Sequence, residues 1–107
     1  MGNWSDEFKG SITVCDRDGV IIYINQHAQN RSAKDLLGTN LLGCHPEPAR
    51  SKVEAMLSTP TFNSYTIEKK GIKKMVHQSP HFRDGVFSGI IEISFEIPKE
   101  MLHFNRD

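Results

Sequence analysis

The adjacent residues Cys44 and His45 are the side chains of this sequence best suited to redox or proton chemistry. They stand directly before Pro46, where we predict that a helix begins. A helix N-terminus and a neighbouring imidazolium both favour a thiolate, which makes Cys44 a candidate redox-sensing thiol. The alternatives are a packed, unreactive thiol and a histidine that caps the helix or faces solvent.

A second group of polar side chains, His77, Ser79 and His81, alternates along one predicted strand and therefore shares a face. Together with Cys44 or His45, the two histidines could bind a metal ion. No cysteine or carboxylate lies within residues 75–83, and the pattern favours an exposed or partner-facing strand surface instead. The sequence also lacks a Gly-x-Ser-x-Gly turn and a set of acid, base and nucleophile. We therefore expect a protein that is not an enzyme and has no metal site.

The composition is that of one small domain with balanced charge. Its 107 residues include 13 Lys and Arg against 13 Asp and Glu, so the formal net charge is zero. This balance argues against nucleic-acid binding through phosphate attraction. No apolar run approaches the roughly 20 residues of a membrane span, and the N-terminus lacks a signal-peptide pattern. With two cysteines, we expect a soluble cytoplasmic protein with reduced thiols and no nucleic-acid or membrane partner.

The elements that would position these groups begin with a β-hairpin. Two strands rich in β-branched residues, at residues 11–15 and 20–24, flank the turn at residues 16–19. That turn reads Asp-Arg-Asp-Gly, in which the Asp side chains bond nearby backbone and the glycine adopts a positive φ. The pattern is typical of a tight hairpin connection.

Both ends of the chain are predicted to lie outside the main domain, which spans residues 10–98. An N-terminal lead-in over residues 1–9 includes a short helix that starts at Trp4. Its Trp4 and Phe8 would cover the protein's own sheet or meet a partner chain. Residues 99–107 have the pattern of a C-terminal tail or the start of a connecting helix.

Three helical segments are predicted after the hairpin. The first spans residues 26–31. The second spans residues 32–37, with Ser32 as its N-cap and Gly38 just past its end. The third and longest spans residues 46–58, because prolines suit a first helical turn and its apolar residues fall on one stripe.

Three strands follow, at residues 62–69, 72–82 and 86–97, and Pro80 in the second indicates a sheet edge or a nearby bulge. The last strand alternates between Phe87, Gly89, Ile91, Ile93 and Phe95 on one face and Ser88, Ile90, Glu92, Ser94 and Glu96 on the other. This order of elements predicts an α+β fold in which a five-stranded antiparallel sheet carries short helices on one face.

The motifs and their order resemble those of a PAS domain. The matching motifs are Asp16-x-Asp-Gly-x-Ile-x-Tyr-x-Asn25 followed by Ala28, Leu36-Leu37-Gly38, Asn40-Leu41-Leu42, Pro80-x-x-Arg-Asp-Gly85 and Gly89-x-x-Glu92. The resemblance extends over residues 10–98. Residues 42–47, Leu-Gly-Cys-His-Pro-Glu, also resemble a subgroup of PAS domains with His-Pro at the entry to the long helix.

The resemblance implies a signal-sensing module in signal transduction. Such a module binds a small organic ligand between sheet and helices, a second copy of itself, or a signalling partner such as a histidine kinase. A ligand-free protein interaction module that dimerises is the alternative. Flavin is disfavoured because Cys44 lies outside the Asn-Cys-Arg-type motif of the family's photosensors, and haem because residues 46–58 contain no histidine. A haem sensor using His45 and a redox sensor using Cys44 are further alternatives.

The resemblance also implies which residues line a ligand site. By analogy with the family's pocket, the strand face that carries Lys74, Val76 and Gln78 looks toward the helices. Together with His45 and Ile91, these residues make up the predicted site. Gln78 would supply a hydrogen-bonding group, and Lys74 would be an anion partner at the rim.

The opposite face of the sheet is predicted to be a partner surface. It would carry Ile90, Ser88, Glu92 and Ser94 from the last strand, and Met75 and His77 from the strand before it. Exposed apolar side chains beside polar groups are typical of protein contacts, so we expect a homodimer.

Overall fold

The structure, a computed structural model, describes residues 3–107. Met1 and Gly2, the first two positions of the predicted lead-in segment, lie outside the described residues. The elements in chain order are α1 (Trp4–Glu7), β1 (Ser11–Asp16), β2 (Ile21–Ile24), α2 (Gln26–Asn30), a 3₁₀ helix (Leu41–Cys44), α3 (Ala49–Ser58), β3 (Asn63–Lys69), β4 (Ile72–Arg83) and β5 (Val86–Ile97). Within residues 3–107, no helix is long and apolar enough to cross a membrane.

All five of these strands form one antiparallel sheet, in the order β2-β1-β5-β4-β3. β1 and β2 pair as the predicted hairpin, and β3, β4 and β5 follow one another as neighbours. β1 then pairs with β5, with Ile12 opposite Ile93. The predicted α+β fold and its five-stranded sheet are confirmed.

The turn of the first hairpin forms through the side chain of Asp16. Its Oδ1 accepts the backbone N–H groups of Asp18 at 2.9 Å and Val20 at 3.0 Å. Gly19 lies between them with a φ of 87°, a region that residues with a Cβ rarely enter. Local turn chemistry therefore brings β2 back beside β1, as the sequence pattern predicts.

The hydrophobic core lies between the sheet and the side that carries α3 and the 3₁₀ helix. It consists of Cys15, Ile21, Leu41, Val53, Met56 and Ile90, each at most 2% exposed. Val53 and Met56 are three residues apart, so one stripe of α3 supplies both. Because this cluster is small, the burial of apolar surface has to be supplemented by buried hydrogen bonds.

β4 extends beyond β3. The pairing between β3 and β4 ends at Gln78. Within the described part of the chain, residues 79–83 are therefore paired on one side only, with β5. Pro80 lies in this part, and the register with β5 shifts between His81 and Phe82. The predicted sheet edge and bulge at Pro80 are both present, as expected for a residue without an N–H group.

Residues 32–37 form no helix, so that prediction is wrong. The backbone N–H of Leu36 donates to Oε1 of Gln29 at 3.2 Å instead. The N–H of Leu37 donates to Oδ1 of Asp35 at 3.1 Å. These side-chain acceptors replace the carbonyls of a helix, and the weak helix propensity of so short a segment does not outweigh them.

Other boundaries differ less from the prediction. α2 ends one residue early, at Asn30, and α3 begins at Ala49 rather than at residue 46. The backbone N–H of Ser51 donates to the carboxylate of Glu47 at 2.9 Å, which satisfies one free donor of the first turn of α3. Residues 99–107 have no regular secondary structure.

The inner and outer faces of β5 carry the opposite sets of residues from those predicted. Ile90 belongs to the core, and Glu92 and Ser94 line the space below the helices, although all three were expected on the outer face. Because side chains alternate along a strand, Ile91 and Ile93 lie on the outer face.

The lead-in segment covers part of that outer face. Phe8, just after α1, packs edge-on against Phe95 with ring centroids 6.4 Å apart. Trp4 does not share this contact, and 76% of its surface is exposed. Of the two predicted roles, Phe8 covers the protein's own sheet, whereas Trp4 projects into solvent.

Asn25 joins four segments through a fully buried side chain. Its Oδ1 accepts the N–H groups of Ile12 and Ala28, both at 3.0 Å. Its Nδ2 donates to the carbonyls of Ser5 at 2.7 Å and Gly10 at 2.9 Å. One amide thus ends β2, caps α2 and attaches the lead-in segment to β1.

We expect Asn25→Ala to lower the free energy of unfolding by about 2–4 kcal/mol, because it leaves several buried backbone groups without partners. Asn30→Ala is the matched control, since Asn30 is exposed. It should change the free energy by less than ~0.5 kcal/mol. Urea denaturation measures both, and equal losses would contradict this role of Asn25.

We expect Gly89→Ala to be among the most destabilising substitutions, at ~3 kcal/mol or more, the upper end of the usual range. A Cβ at Gly89 would lie 1.9 Å from the carbonyl oxygen of Cys15, and the φ of 144° disfavours any side chain. Gly43→Ala is the control, because no other atom lies within 4 Å of a Cβ there. Thermal unfolding of both variants tests the difference, and a stable Gly89→Ala variant would show that β1 and β5 can separate.

Candidate functional site

An open groove of about 520 Å³ lies between the inner face of the sheet and the helical side of the molecule. Its floor includes Thr13, Tyr65, Val76, Glu92 and Ser94, and its walls include Ala28, Arg31, Leu36, Leu41, Cys44, His45 and Ala49. The volume is within the roughly 300–1,000 Å³ of small-molecule sites. Apolar walls with a few polar groups are also typical of such sites.

A chain of hydrogen bonds runs below the groove from β3 to the loop before α3. Nδ2 of Asn63 donates to Oε1 of Gln78 at 2.9 Å, and Nε2 of Gln78 donates to Oε1 of Glu92 at 2.7 Å. The same carboxylate oxygen bonds Nε2 of His45 at 2.8 Å. Glu92 is the centre of this chain and ties the sheet to the helical side.

Both ring nitrogens of His45 face hydrogen-bond acceptors. Nδ1 lies 2.9 Å from the carbonyl oxygen of Leu41, and Nε2 lies 2.8 Å from the carboxylate of Glu92. Neither acceptor can donate while Glu92 is ionised, so both nitrogens are satisfied only when both carry a proton. The arrangement therefore favours an imidazolium that forms an ion pair with Glu92, with side chains 10% and 15% exposed.

The pKa of His45 lies above its usual 6.5. Burial of the ring lowers the pKa and is the largest single effect, but the hydrogen bond and charge of Glu92 and the carbonyl of Leu41 together outweigh it. The folded chain therefore holds this proton more tightly than the unfolded chain. No nitrogen of His45 is left to bind a haem iron in this arrangement.

The charge of Glu92 also acts on two neighbouring groups. Partial burial of the thiol, and then Glu92, raise the pKa of Cys44, and Lys34 opposes them only in part. Burial followed by Glu92 likewise raises the pKa of Tyr65. A redox-sensing thiol needs a lowered pKa, so the surroundings of Cys44 do not support that role.

A second cavity, of about 480 Å³, adjoins the groove; we call it the basic cavity. It is lined by Lys9, His27, Arg31, Lys74, Ser94, Phe95 and Glu96. Arg31 and Ser94 line both spaces, so the two are adjacent. Burial, and then the nearby charge of Arg31, lower the pKa of Lys74.

The predicted ligand-site residues are only partly brought together. His45 and Val76 line the groove, and Gln78 lies in the hydrogen-bond chain below it. Lys74 lines the basic cavity at the end of the groove, consistent with its expected position at the rim. Ile91 has to be removed from the set, because it lies on the outer face of β5.

Three residues that shape the site were missed. Glu92, Tyr65 and Arg31 all line the groove, and Glu92 organises its polar floor. Glu92 had a detectable signal, because it is a lone charge between Ile91 and Ile93 in a central strand. Neither Tyr65 nor Arg31 had a comparable signal in the sequence.

The strand histidines point away from His45. His77 and His81 alternate with Val76 and Gln78 of the inner face, so they lie on the outer face. Nδ1 of His77 bonds Oγ of Ser64 at 2.6 Å. Sites on opposite faces of one sheet cannot share a metal ion, so a combined site with His45 is not available.

The His45–Glu92 pair makes the stability of the chain depend on pH. Because the pKa of His45 is raised in the folded state, the pair contributes fully below about 6.5, and this contribution is lost as pH rises through the raised value. We therefore expect the free energy of unfolding to fall with increasing pH across that window. Urea denaturation at a series of pH values measures the fall.

His45→Gln should remove this pH dependence and cost about 1–3 kcal/mol at low pH, because it breaks a largely buried charged hydrogen bond. His103→Gln is the control, since it removes an imidazole from the exposed C-terminal residues. The His103→Gln variant should retain the wild-type dependence of the free energy of unfolding on pH. If His45→Gln keeps the full slope, another group is responsible.

Comparison with known proteins gives matches to solved structures. No family model matches the sequence, and no curated protein matches it significantly. A sensory box sensor histidine kinase from Vibrio cholerae matches with a TM-score of 0.67 at 19% identity, over 89% of this chain and 87% of that chain. The PAS domain of BvgS from Bordetella pertussis matches with a TM-score of 0.64 at 21% identity, over 90% and 82%.

A third match is longer than this chain. The sensor region of a sensor histidine kinase gives a TM-score of 0.64 at 16% identity over 80% of this chain, which spans only 38% of that region. At these identities the likeness concerns the fold, and the predicted His-Pro subgroup stays a prediction. The strand order, the helices above the inner face and these matches agree that the chain has the fold of a PAS domain.

Proposed function

We propose that this chain is a signal-sensing module that binds a small organic ligand in the groove. The observation that carries the proposal is the groove itself, where an apolar wall meets the ion pair of His45 and Glu92. A filled core would be expected of a purely structural domain, and here the part of the inner face beside the groove carries Glu92 and Ser94 and is partly open. Similar structures come from sensor histidine kinases, which supports a role in signal transduction.

The ion pair gives the groove a way to influence the rest of the domain. A ligand that binds beside His45 would compete with or reinforce its bond to Glu92, and a ligand shifts a conformational equilibrium only through such differential contacts. Glu92 is on β5, whereas His45 precedes α3, so the change would alter how the helical side sits on the sheet. A histidine kinase or another signalling protein would be the recipient of the change.

The same proposal includes the absence of catalysis and a cytoplasmic location. The carboxylate of the groove, Glu92, is engaged with His45, and His45, the only imidazole among the described residues of the groove, bonds acceptors on both sides. Cys15 and Cys44 are both free thiols, which suits a reducing compartment.

The test is native mass spectrometry of the chain purified from cells, together with its absorption spectrum. We expect the wild-type chain to carry an additional small-molecule mass that is released on denaturation. Ala49→Leu should reduce the bound fraction at least about tenfold, because Ala49 lines the groove and the added atoms would occupy it. Ala55→Leu on the exposed side of the same helix should retain the ligand.

A chain that carries no additional mass and gains no thermal stability from a cell extract would contradict ligand binding. Retention of the mass in Ala49→Leu would place the ligand elsewhere. The first result would favour the ligand-free interaction module, and the second would contradict binding in the groove.

A homodimer is the second proposal, and the outer face of the sheet supports it. Six half-buried apolar side chains lie there: Ile12, Val14, Met75, Ile91, Ile93 and Phe95. Phe8 packs on Phe95 at one end of this surface, and 76% of the surface of Trp4, in the same lead-in segment, is exposed. Contiguous apolar surface of this kind is typical of contacts with another protein.

We expect sedimentation to give a dimer at high protein concentration. Ile93→Lys should shift the equilibrium to the monomer, because Ile93 lies between Ile12 and His77 on the outer face. Ile72→Lys is the control, since it places the same charge at an exposed strand end. A wild-type monomer at high concentration would contradict the dimer without affecting the ligand proposal.

A further inference from the structure

Basic side chains converge on one end of the groove. The basic cavity has Lys9, Arg31 and Lys74 around it, with His27 beside them and Glu96 as its one carboxylate. They come from three separate parts of the chain: the segment after α1, the end of α2, and β4. The whole chain has a formal net charge of zero, so this local excess does not follow from composition.

These cations are only partly balanced by negative charge, because Glu96 favours the charged form of Lys74 but does not outweigh burial and the charge of Arg31. Within residues 3–107, the one ion pair is that of His45 and Glu92, so none of these cations takes part in one. Lys74 and Glu96 are cross-strand neighbours in the β4–β5 register, yet they too are not in ion-pair contact. Holding Arg31 and Lys74 near each other is unfavourable because like charges repel, and after burial the charge of Arg31 is the next largest cause of the lowered pKa of Lys74.

The basic cavity and the groove lie side by side and differ in chemical character. Ser94 and Arg31 line both, and along β5 the inward-facing residues Glu92, Ser94 and Glu96 follow one another at roughly 7 Å intervals. The groove offers mostly apolar surface, through residues such as Leu41, Ala49 and Val76, and among the described residues Lys34 is its one lysine or arginine outside the basic cavity. A molecule that spans both would therefore meet mostly apolar surface in the groove and a cationic end in the basic cavity.

We propose that the ligand of this module is an amphipathic organic anion, whose apolar body lies in the groove and whose anionic group lies between Arg31 and Lys74. The proposal rests on the proposed ligand-binding function and specifies its chemical class. A planar guanidinium binds an oxyanion through two parallel hydrogen bonds, and an ammonium adds a compact charge. Burial of the apolar body supplies affinity, whereas the anionic group fixes its direction in the groove.

The test uses two fluorescent probes that differ in one group. Anilinonaphthalene sulfonate and N-phenyl-naphthylamine share the same aromatic body, but only the first carries an anion. We expect the sulfonate probe to bind at least about tenfold more tightly, with an advantage that falls as salt is added. Arg31→Gln and Lys74→Gln should each remove most of that advantage and leave the binding of the neutral probe unchanged.

Arg50→Gln and Lys52→Gln are the matched controls, because both change the charge equally on the exposed side of α3. They should leave the binding of both probes unchanged. Ala49→Leu should weaken both probes, which places them in the groove rather than on the outer face of the sheet. Displacement of the sulfonate probe by naphthoate or by naphthyl phosphate would support the proposal and identify the head group.

Equal affinity of the two probes for the wild-type chain would overturn the anionic ligand class while leaving ligand binding intact. The anionic class would also be overturned if Arg31→Gln and Lys74→Gln weaken the binding of both probes alike. A failure of both competitors to displace the sulfonate probe would have the same meaning. If neither probe binds, or if both still bind fully to Ala49→Leu, the groove is not a ligand site and both proposals fall.

Discussion

A carboxylate on the inner face of a central strand is the constraint on which the rest of this structure depends. Glu92 cannot be removed from water as a bare charge without a large free-energy cost. Gln78 and His45 supply the partners, one from the neighbouring strand and one from the loop before α3. The position of that loop, and hence of the helix it leads into, is thereby tied to the charge on β5.

This constraint explains why the usual distribution of polar and apolar residues is inverted on β5. Glu92 and Ser94 face the helical side, where a groove leaves room for them, and Ile91 and Ile93 face outward. The apolar core is restricted to the end of the sheet near Ile90. Buried hydrogen bonds such as those of Asn25 therefore do part of the work that apolar packing does in larger domains.

The fold was predictable from the sequence because its signals are local. Asp16 and Gly19 define the hairpin, and Val53 with Met56 define the buried stripe of α3. The faces of β5 were not predictable in the same way, since alternation identifies two faces without saying which one meets the helices. The apolar set was assigned to the inside by default, and this misplaced Ile90, Ile91 and Glu92. Only the tertiary structure, which brings His45 and Gln78 to Glu92, shows that this carboxylate has partners.

The overhanging end of β4 has a consequence for the solution behaviour of the chain. Unpaired strand backbone is a template on which another chain can add a strand, and it promotes aggregation when it is long and flat. Here the segment carries Pro80, which has no N–H to offer, and a bulge at His81 and Phe82, which increases the local twist. The open side of β4 is thereby protected against uncontrolled polymerisation, so the sheet ends there without a covering element.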